Sequence, residues 1–169
     1  VAAEAAEAHR GPRIMAFWLA VILVTLFDQA TKAVVREVLQ TAGASRPFIP
    51  YVMELRLVYN TGAAFSIGTG AGIVFIAIAA IVLVVLAGIV WRDPGLPLSL
   101  SVSMGCVAGG GVGNMIDRVI HGAVTDFLCT TFIDFPVFNV ADIFVTCGLV
   151  LTFILYLRFD RKERAQERA

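Results

Sequence analysis

Charge is scarce in this chain. Of its 169 residues 15% are charged, against about 25% in an ordinary soluble domain. Histidine is scarcer still, with His9 in the N-terminal tail and His121 in a later polar stretch. Two histidines fall short of the three or four His, Cys or carboxylate ligands of a zinc site. Cysteine is odd in number and widely spaced. Cys106, Cys129 and Cys147 form no CxxC pair, which argues against a disulfide framework or a cysteine metal site. Cys106 and Cys147 lie in apolar runs and read as small core hydrophobes. Basic and acidic residues balance at 13 each, so no nucleic-acid partner is expected.

What the chain has is hydrocarbon. Apolar residues make up 59% of it, where a soluble domain carries about 45–50%. Ile14 to Phe27 holds no charge, and the helical pattern runs on through Asp28, Lys32 and Arg36 to about Leu39. Those three charges, four residues apart, share one helical face, so the far end of this helix should be half buried in protein. A cleaved signal peptide is the rival reading of this segment. No small-x-small site follows Phe27 directly, and three more apolar segments come later. Gly70 to Trp91 is free of charge and long enough for a membrane helix, which needs about 20 residues. Arg92-Asp93-Pro94-Gly95 breaks it as a turn. The expected spans are therefore about 14–36, 70–91, 96–116 and 139–157, in a single membrane-embedded domain.

Four spans put both termini on one side. Arg10, Arg13, Arg92, Arg158, Arg161, Lys162, Arg164 and Arg168 all fall there, and the positive-inside rule makes that side cytoplasmic. Arg46 and Arg56 lie opposite. The charged tail 158–169 reads as a solvated helical extension. The insert 40–69 carries an alternating Glu54-Leu55-Arg56-Leu57 that reads as a short strand through Tyr59. With the segment from Asp117 to Phe138 it faces the exterior, where the two could form a platform. Within span three Gly105, Gly109 and Gly113 recur every four residues, a stripe that lets another helix approach closely. A phosphate loop does not fit, because no Lys-Ser/Thr follows the glycines.

Polar residues concentrate in four clusters. They are Asp28-Gln29-Ala30-Thr31-Lys32, Asn60-Thr61-Gly62-Ala63-Ala64-Phe65, Gly113-Asn114-Met115-Ile116-Asp117-Arg118 leading to Thr125-Asp126-Phe127, and Phe138-Asn139-Val140-Ala141-Asp142. Span arithmetic brings all four toward the exterior face. An Asp at a membrane helix centre costs about 2.5–3.5 kcal/mol, so acids kept near such segments suggest function. Two carboxylates close together share a proton. Such a pair can activate water and protonate a leaving nitrogen. Asp126 and Asp142 are the candidates. Their plainer reading is a helix cap, or a buried ion pair with Arg118 or Lys32. Other functional classes are an ion relay through Asp28, Asp126 and Asp142, and a non-enzymatic assembly protein. No internal repeat of the transporter kind is visible.

Together the four clusters resemble the lipoprotein signal peptidase (signal peptidase II) family, in the family's order and over most of the chain. The resemblance implies an all-α membrane fold of four transmembrane helices with a small extracytoplasmic β-cradle and helix at 40–69. It implies an aspartic endopeptidase of the bacterial inner membrane, with its active site toward the outer leaflet and no cofactor or metal. Such an enzyme cuts diacylglyceryl-modified prolipoproteins before the lipidated cysteine and is blocked by the cyclic peptide globomycin. The family's catalytic pair matches Asp126 and Asp142. Its supporting polar residues match Asp28, Asn60, Asn114, Arg118 and Asn139, with Lys32 and Gly62 in the same motifs. Asp28 and Lys32, one turn apart, can pair, and Arg118 can pair with Asp117 or lend charge to the site.

Overall fold

The structure is a computed structural model that describes residues 10–62, 71–93 and 95–167. The expectations for His9, for Ala63, Ala64 and Phe65, for Pro94 and for Arg168 fall outside the described residues. Four long helices carry the fold: α1 (Arg10–Leu39), α2 (Gly72–Arg92), α3 (Leu98–His121) and α4 (Val140–Glu167). Three strands, β1 (Ser45–Ile49), β2 (Met53–Asn60) and β3 (Val124–Thr130), form one antiparallel sheet in the order β1-β2-β3. The strand read from alternation is β2. The second outer segment supplies β3, so the two outer segments are joined by main-chain hydrogen bonds.

Helices α1, α2 and most of α4 are long and apolar enough to cross a membrane. α3 spans about 36 Å at 1.5 Å per residue, yet it is less apolar. The reason is its position: α3 packs against each of the other three helices, so it presents little surface to lipid. It buries Ser101 and Ser103, and Thr152 of α4 hydrogen-bonds Ser103 at 2.9 Å. α2 is its opposite, an outer helix with Ile73, Ile81 and Val84 all more than half exposed. α3 also continues past Ile116 to His121, ending at Gly122 in the left-handed conformation (φ 72°). The polar residues beyond 116 stay helical because Asp117 is buried among cations rather than released to a loop.

The glycine stripe brings α1 and α3 together. A Cβ on Gly105 would lie 2.6 Å from the Phe17 carbonyl oxygen, and one on Gly109 2.9 Å from that of Val21. Gly110 faces α4 in the same way, 2.5 Å from the Ala141 carbonyl oxygen. Two apolar clusters follow one another along α1. Phe17 and Val21 pack with Val90, Leu96, Leu100 and Met104 at one end. Val35 and Leu39 pack with Leu57, Phe127 and Leu128 under the sheet at the other. Asp28 and Lys32 lie between them, wholly buried. At the first end the basic flanks gather: the Arg10 guanidinium sits 4.7 Å from the Trp91 ring centroid, and Arg13 donates to the Leu96 carbonyl at 3.4 Å. Cys147 departs from expectation, being exposed on α4 rather than in the core.

Gly113 is where close packing touches the polar layer, since a Cβ there would sit 2.5 Å from Asp28 Oδ2. Gly113→Ala should therefore destabilise the fold by about 1–3 kcal/mol, the usual cost of overpacking. Thermal melts in detergent should show a lowered Tm, while Gly111→Ala, which would find its nearest neighbour at 3.8 Å, should melt like the parent.

Candidate active site

The first turn of α4 holds Asp142 by a reciprocal cap. The Asp142 N–H donates to Asn139 Oδ1 at 3.1 Å, and the Asn139 N–H donates to Asp142 Oδ2 at 3.0 Å. This is the capping-box arrangement, with the acid at the third helical position. The next free amide of that turn is taken from outside: Ala141 N–H donates to Asp28 Oδ1 of α1 at 3.0 Å. Asp142 Oδ1 accepts from Asn114 Nδ2 of α3 at 2.8 Å. The cap reading of Asp142 is thus correct, and it leaves the carboxylate facing a cavity.

Asp126 comes from β3 and is 3% exposed. Its Oδ1 accepts from Asn139 Nδ2 at 2.6 Å, and its Oδ2 accepts from Asn60 Nδ2 at 3.0 Å. Gly62 N–H donates to Asn60 Oδ1 at 2.9 Å, which turns the Asn60 amide so that its NH2 faces Asp126. β2 carries one residue more than β3 between the pairs Leu55↔Leu128 and Val58↔Asp126. Such a bulge re-aims side chains beside it. Burial pushes the Asp126 carboxyl up to about 6; the Asn60 and Asn139 donors oppose this, and the neighbouring Asp142 charge adds to it.

Behind the acids lies a buried charge cluster. Lys32 Nζ contacts Asp28 Oδ2 at 2.8 Å and Asp117 Oδ2 at 3.5 Å, and donates to Asn114 Oδ1 at 2.8 Å. Asn139 Nδ2 reaches the same Asn114 oxygen at 3.1 Å. With two donors on its oxygen, the Asn114 amide must present its nitrogen to Asp142. Asp117 also accepts the Thr125 N–H at 2.7 Å, and Arg36 reaches Asp117 at 3.6 Å and Thr125 Oγ1 at 2.8 Å. Here the structure corrects the sequence. The ion pairs of Asp117 go to Lys32 and Arg36, while Arg118 donates to the Gly62 carbonyl at 2.9 Å and lies over the Phe75 ring. Arg118 still lines the cavity with both acids.

Every site residue named from sequence is in this assembly. Three that reasoning passed over do comparable work. Gln29 donates to the Gly113 carbonyl at 3.0 Å, and Arg36 and Asp117 fix Thr125 beside Asp126. The signal for Arg36 was its place on the charged face of α1. Cys129 is buried in β3 and His121 is exposed at the end of α3. Among the described residues no three His, Cys, Asp or Glu side chains gather as a metal-ligand group.

Two clefts meet at Asp126. One, of about 530 Å³, runs beside α4 past Asp142, Ile143, Thr146 and Cys147. The other, of about 840 Å³, lies over the sheet and is walled by Glu54, Arg56, Tyr59 and Thr131. Asn60, Asp126 and the 135–137 segment border both.

The family model of signal peptidase (SPase) II matches residues 20–158. The chain belongs to the signal peptidase II family. It is 35% identical over 151 residues to the lipoprotein signal peptidase of Gloeothece citriformis, covering 89% of this chain and 93% of that protein. It is 33% identical over 151 residues to the lipoprotein signal peptidase of Staphylococcus aureus, covering 88% and 92%. A solved bacterial membrane enzyme superposes with a TM-score of 0.75 at 34% identity, over 83% of this chain and 86% of that one. A second gives 0.74 at 35% identity, over 82% and 90%. This signal peptidase II is accordingly an aspartic peptidase and a multi-pass protein of the bacterial inner membrane.

The raised Asp126 carboxyl has a consequence for stability. The folded protein holds this proton more tightly than the unfolded chain, whose Asp titrates near 3.9. The contribution is full below the unfolded value and is lost as pH rises through about 6. The Tm of the parent should fall by several degrees between about pH 4 and pH 7, on the order of 2–3 kcal/mol. Melts of Asp126→Asn over the same range should lack most of that slope; equal slopes in both proteins would reject the assignment.

Proposed function

We propose that Asp126 and Asp142 are the catalytic pair with which this signal peptidase II removes the signal peptide from diacylglyceryl-modified prolipoproteins, cutting before the lipidated cysteine. One observation carries the reading. Two carboxylates from a strand and a helix converge on a single asparagine, Asn139, where an apolar and a polar cleft meet. Such a junction suits a substrate that is lipid-borne on one side of the scissile bond and a polar chain on the other. The cleft beside α4 takes the lipid-borne part, and the cleft over the sheet takes the peptide beyond the cut.

The pair holds one proton between its members. The charged carboxylate takes a proton from water as the oxygen attacks the scissile carbonyl. The neutral one donates a hydrogen bond to the carbonyl oxygen as negative charge develops there. The tetrahedral intermediate collapses by breaking the C–N bond, and the nitrogen leaves with a proton supplied by the pair. The environment of Asp126 favours the proton on its side. Asn60, Asn114 and Asn139 orient the acids through their amide donors. Asp28 and Lys32 hold Asn114 and the α4 cap. Arg118, held by Gly62, supplies positive charge to the cleft. Globomycin competes for this cleft, and membrane lipids surround it.

The basic end of the helices, with Arg10, Arg13 and Arg92, supports a cytoplasmic location for both termini. The site lies at the other end of α1, α3 and α4, hence toward the outer leaflet.

Purified protein should cleave a lipidated precursor peptide in the presence of a chelator as fast as without it. Asp126→Asn and Asp142→Asn should each lower kcat/KM by about a thousandfold or more, and the double variant little further, because residues acting as a unit do not add. Near-parental activity in either folded variant removes the pair. Loss on chelation with recovery on adding a divalent metal would favour a metallohydrolase.

A further inference from the structure

The β1–β2 hairpin presents apolar side chains that the fold itself does not use. Ile49, Pro50, Tyr51 and Val52 form a tight turn, closed by the Val52 N–H donating to the Ile49 carbonyl at 3.0 Å. Tyr51 sits in its third position with φ 62°. That left-handed backbone favours glycine or asparagine and strains a bulky residue. Tyr51 is 95% exposed, so burial does little to offset the strain. Phe48, Ile49 and Val52 beside it are also exposed. Thr131 N–H donates to the Val52 carbonyl at 3.1 Å, and this brings the chain at the exposed Phe132 beside the tip.

We propose that this tip, formed by Phe48, Ile49, Tyr51 and Val52 with Phe132, docks on the surface of the bilayer that α1 crosses. Three observations name lipid as the occupant. The patch continues the lipid face of α1, whose last turns expose Val34 and Val38, and only residues 40–44 separate that helix from β1. The sheet cannot rise freely from the helix ends, because Leu57 and Phe127 pack against Val35 and Leu39. The charge also suits a phosphate headgroup region: the single charged residue from Ser45 to Val52 is Arg46, exposed and positive. Tyrosine is a favoured side chain at membrane–water boundaries, where its ring lies in apolar surroundings and its hydroxyl in water. Docking would fix the height of the sheet, and with it the strand that carries Asp126, relative to the membrane.

The test uses the full chain in phosphatidylethanolamine–phosphatidylglycerol vesicles. Trp18→Phe and Trp91→Phe remove the native indoles, and Tyr51→Trp or, separately, Phe132→Trp supplies one at the tip. Melting curves check that each variant folds. The expected result is blue-shifted emission at both positions, with loss of about half the intensity to lipid chains brominated near the headgroup and less to chains brominated at their ends. Emission typical of water, quenched by iodide and untouched by brominated lipid, overturns the proposal. A blue shift that arises only when precursor peptide is added assigns the tip to substrate and overturns it. So does a shift that grows with protein-to-lipid ratio, which assigns it to a second copy.

Discussion

The Lys32 ammonium is the contact on which the rest of the molecule depends. It is wholly buried, and it is answered by Asp28, Asp117 and the Asn114 oxygen. An isolated charge in such a place is prohibitive, and a paired one is tolerated only when its hydrogen-bonding capacity is met. Lys32 has three N–H bonds and three oxygen partners. Two of these partners then reach α4 and the third reaches β3. Asp28 caps α4 through Ala141, Asp117 holds β3 through Thr125, and Asn114 holds Asp142. Removing one member of such a cluster leaves an uncompensated buried charge, at a cost of about 3–5 kcal/mol. The helices therefore take one register relative to each other at the polar layer, a constraint that apolar packing above and below it does not impose.

That layer dictates unusual choices around it. Gly113 carries no side chain because the Asp28 carboxylate occupies the space. α3 tolerates serines and glycines at membrane depth because protein, not lipid, surrounds it. The lipid-facing burden falls on α2 and the outer sides of α1 and α4, which are accordingly the hydrophobic ones.

The features legible in sequence were the local ones. Asp28, Lys32 and Arg36 share a face by the four-residue spacing alone, and the Gly105, Gly109, Gly113 stripe announced a close neighbour, which is α1. Asn139 and Asp142 stand at cap spacing. The long-range features were hidden. Nothing in Val124–Thr130 says that it pairs with a strand some seventy residues earlier, because strand pairing is a property of two segments. For a related reason α3 runs on to His121, past the expected end of the third span. Asp117 and Arg118 look like a polar exit from the membrane, and their partners on α1 and at Gly62, beyond the end of β2, hold that last turn of the helix. Of the two roles read for Arg118, the structure carries charge facing the cleft rather than a pair with Asp117, its neighbour in sequence but not its ion pair in space. Cys147 was read as core because hydropathy does not distinguish a face turned to lipid from one turned to protein.

The two acids are held by different kinds of structure, and this bears on how their geometry is maintained. Asp142 is fixed locally, by a cap that forms with its own helix. Asp126 is fixed at long range, by the pairing of β3 with β2. A displacement of the sheet would move one acid and leave the other. Three ties resist it. Asn139 bonds both carboxylates, and Asn60 follows Asp126 because it lies on the paired strand. Thr125, the residue before Asp126, is held through its N–H by Asp117 and through its hydroxyl by Arg36. The sheet is thereby registered against the same charge cluster that positions Asp142 through Asn114. An acid from a strand and an acid from a helix can then keep one separation, because Lys32 lies behind both.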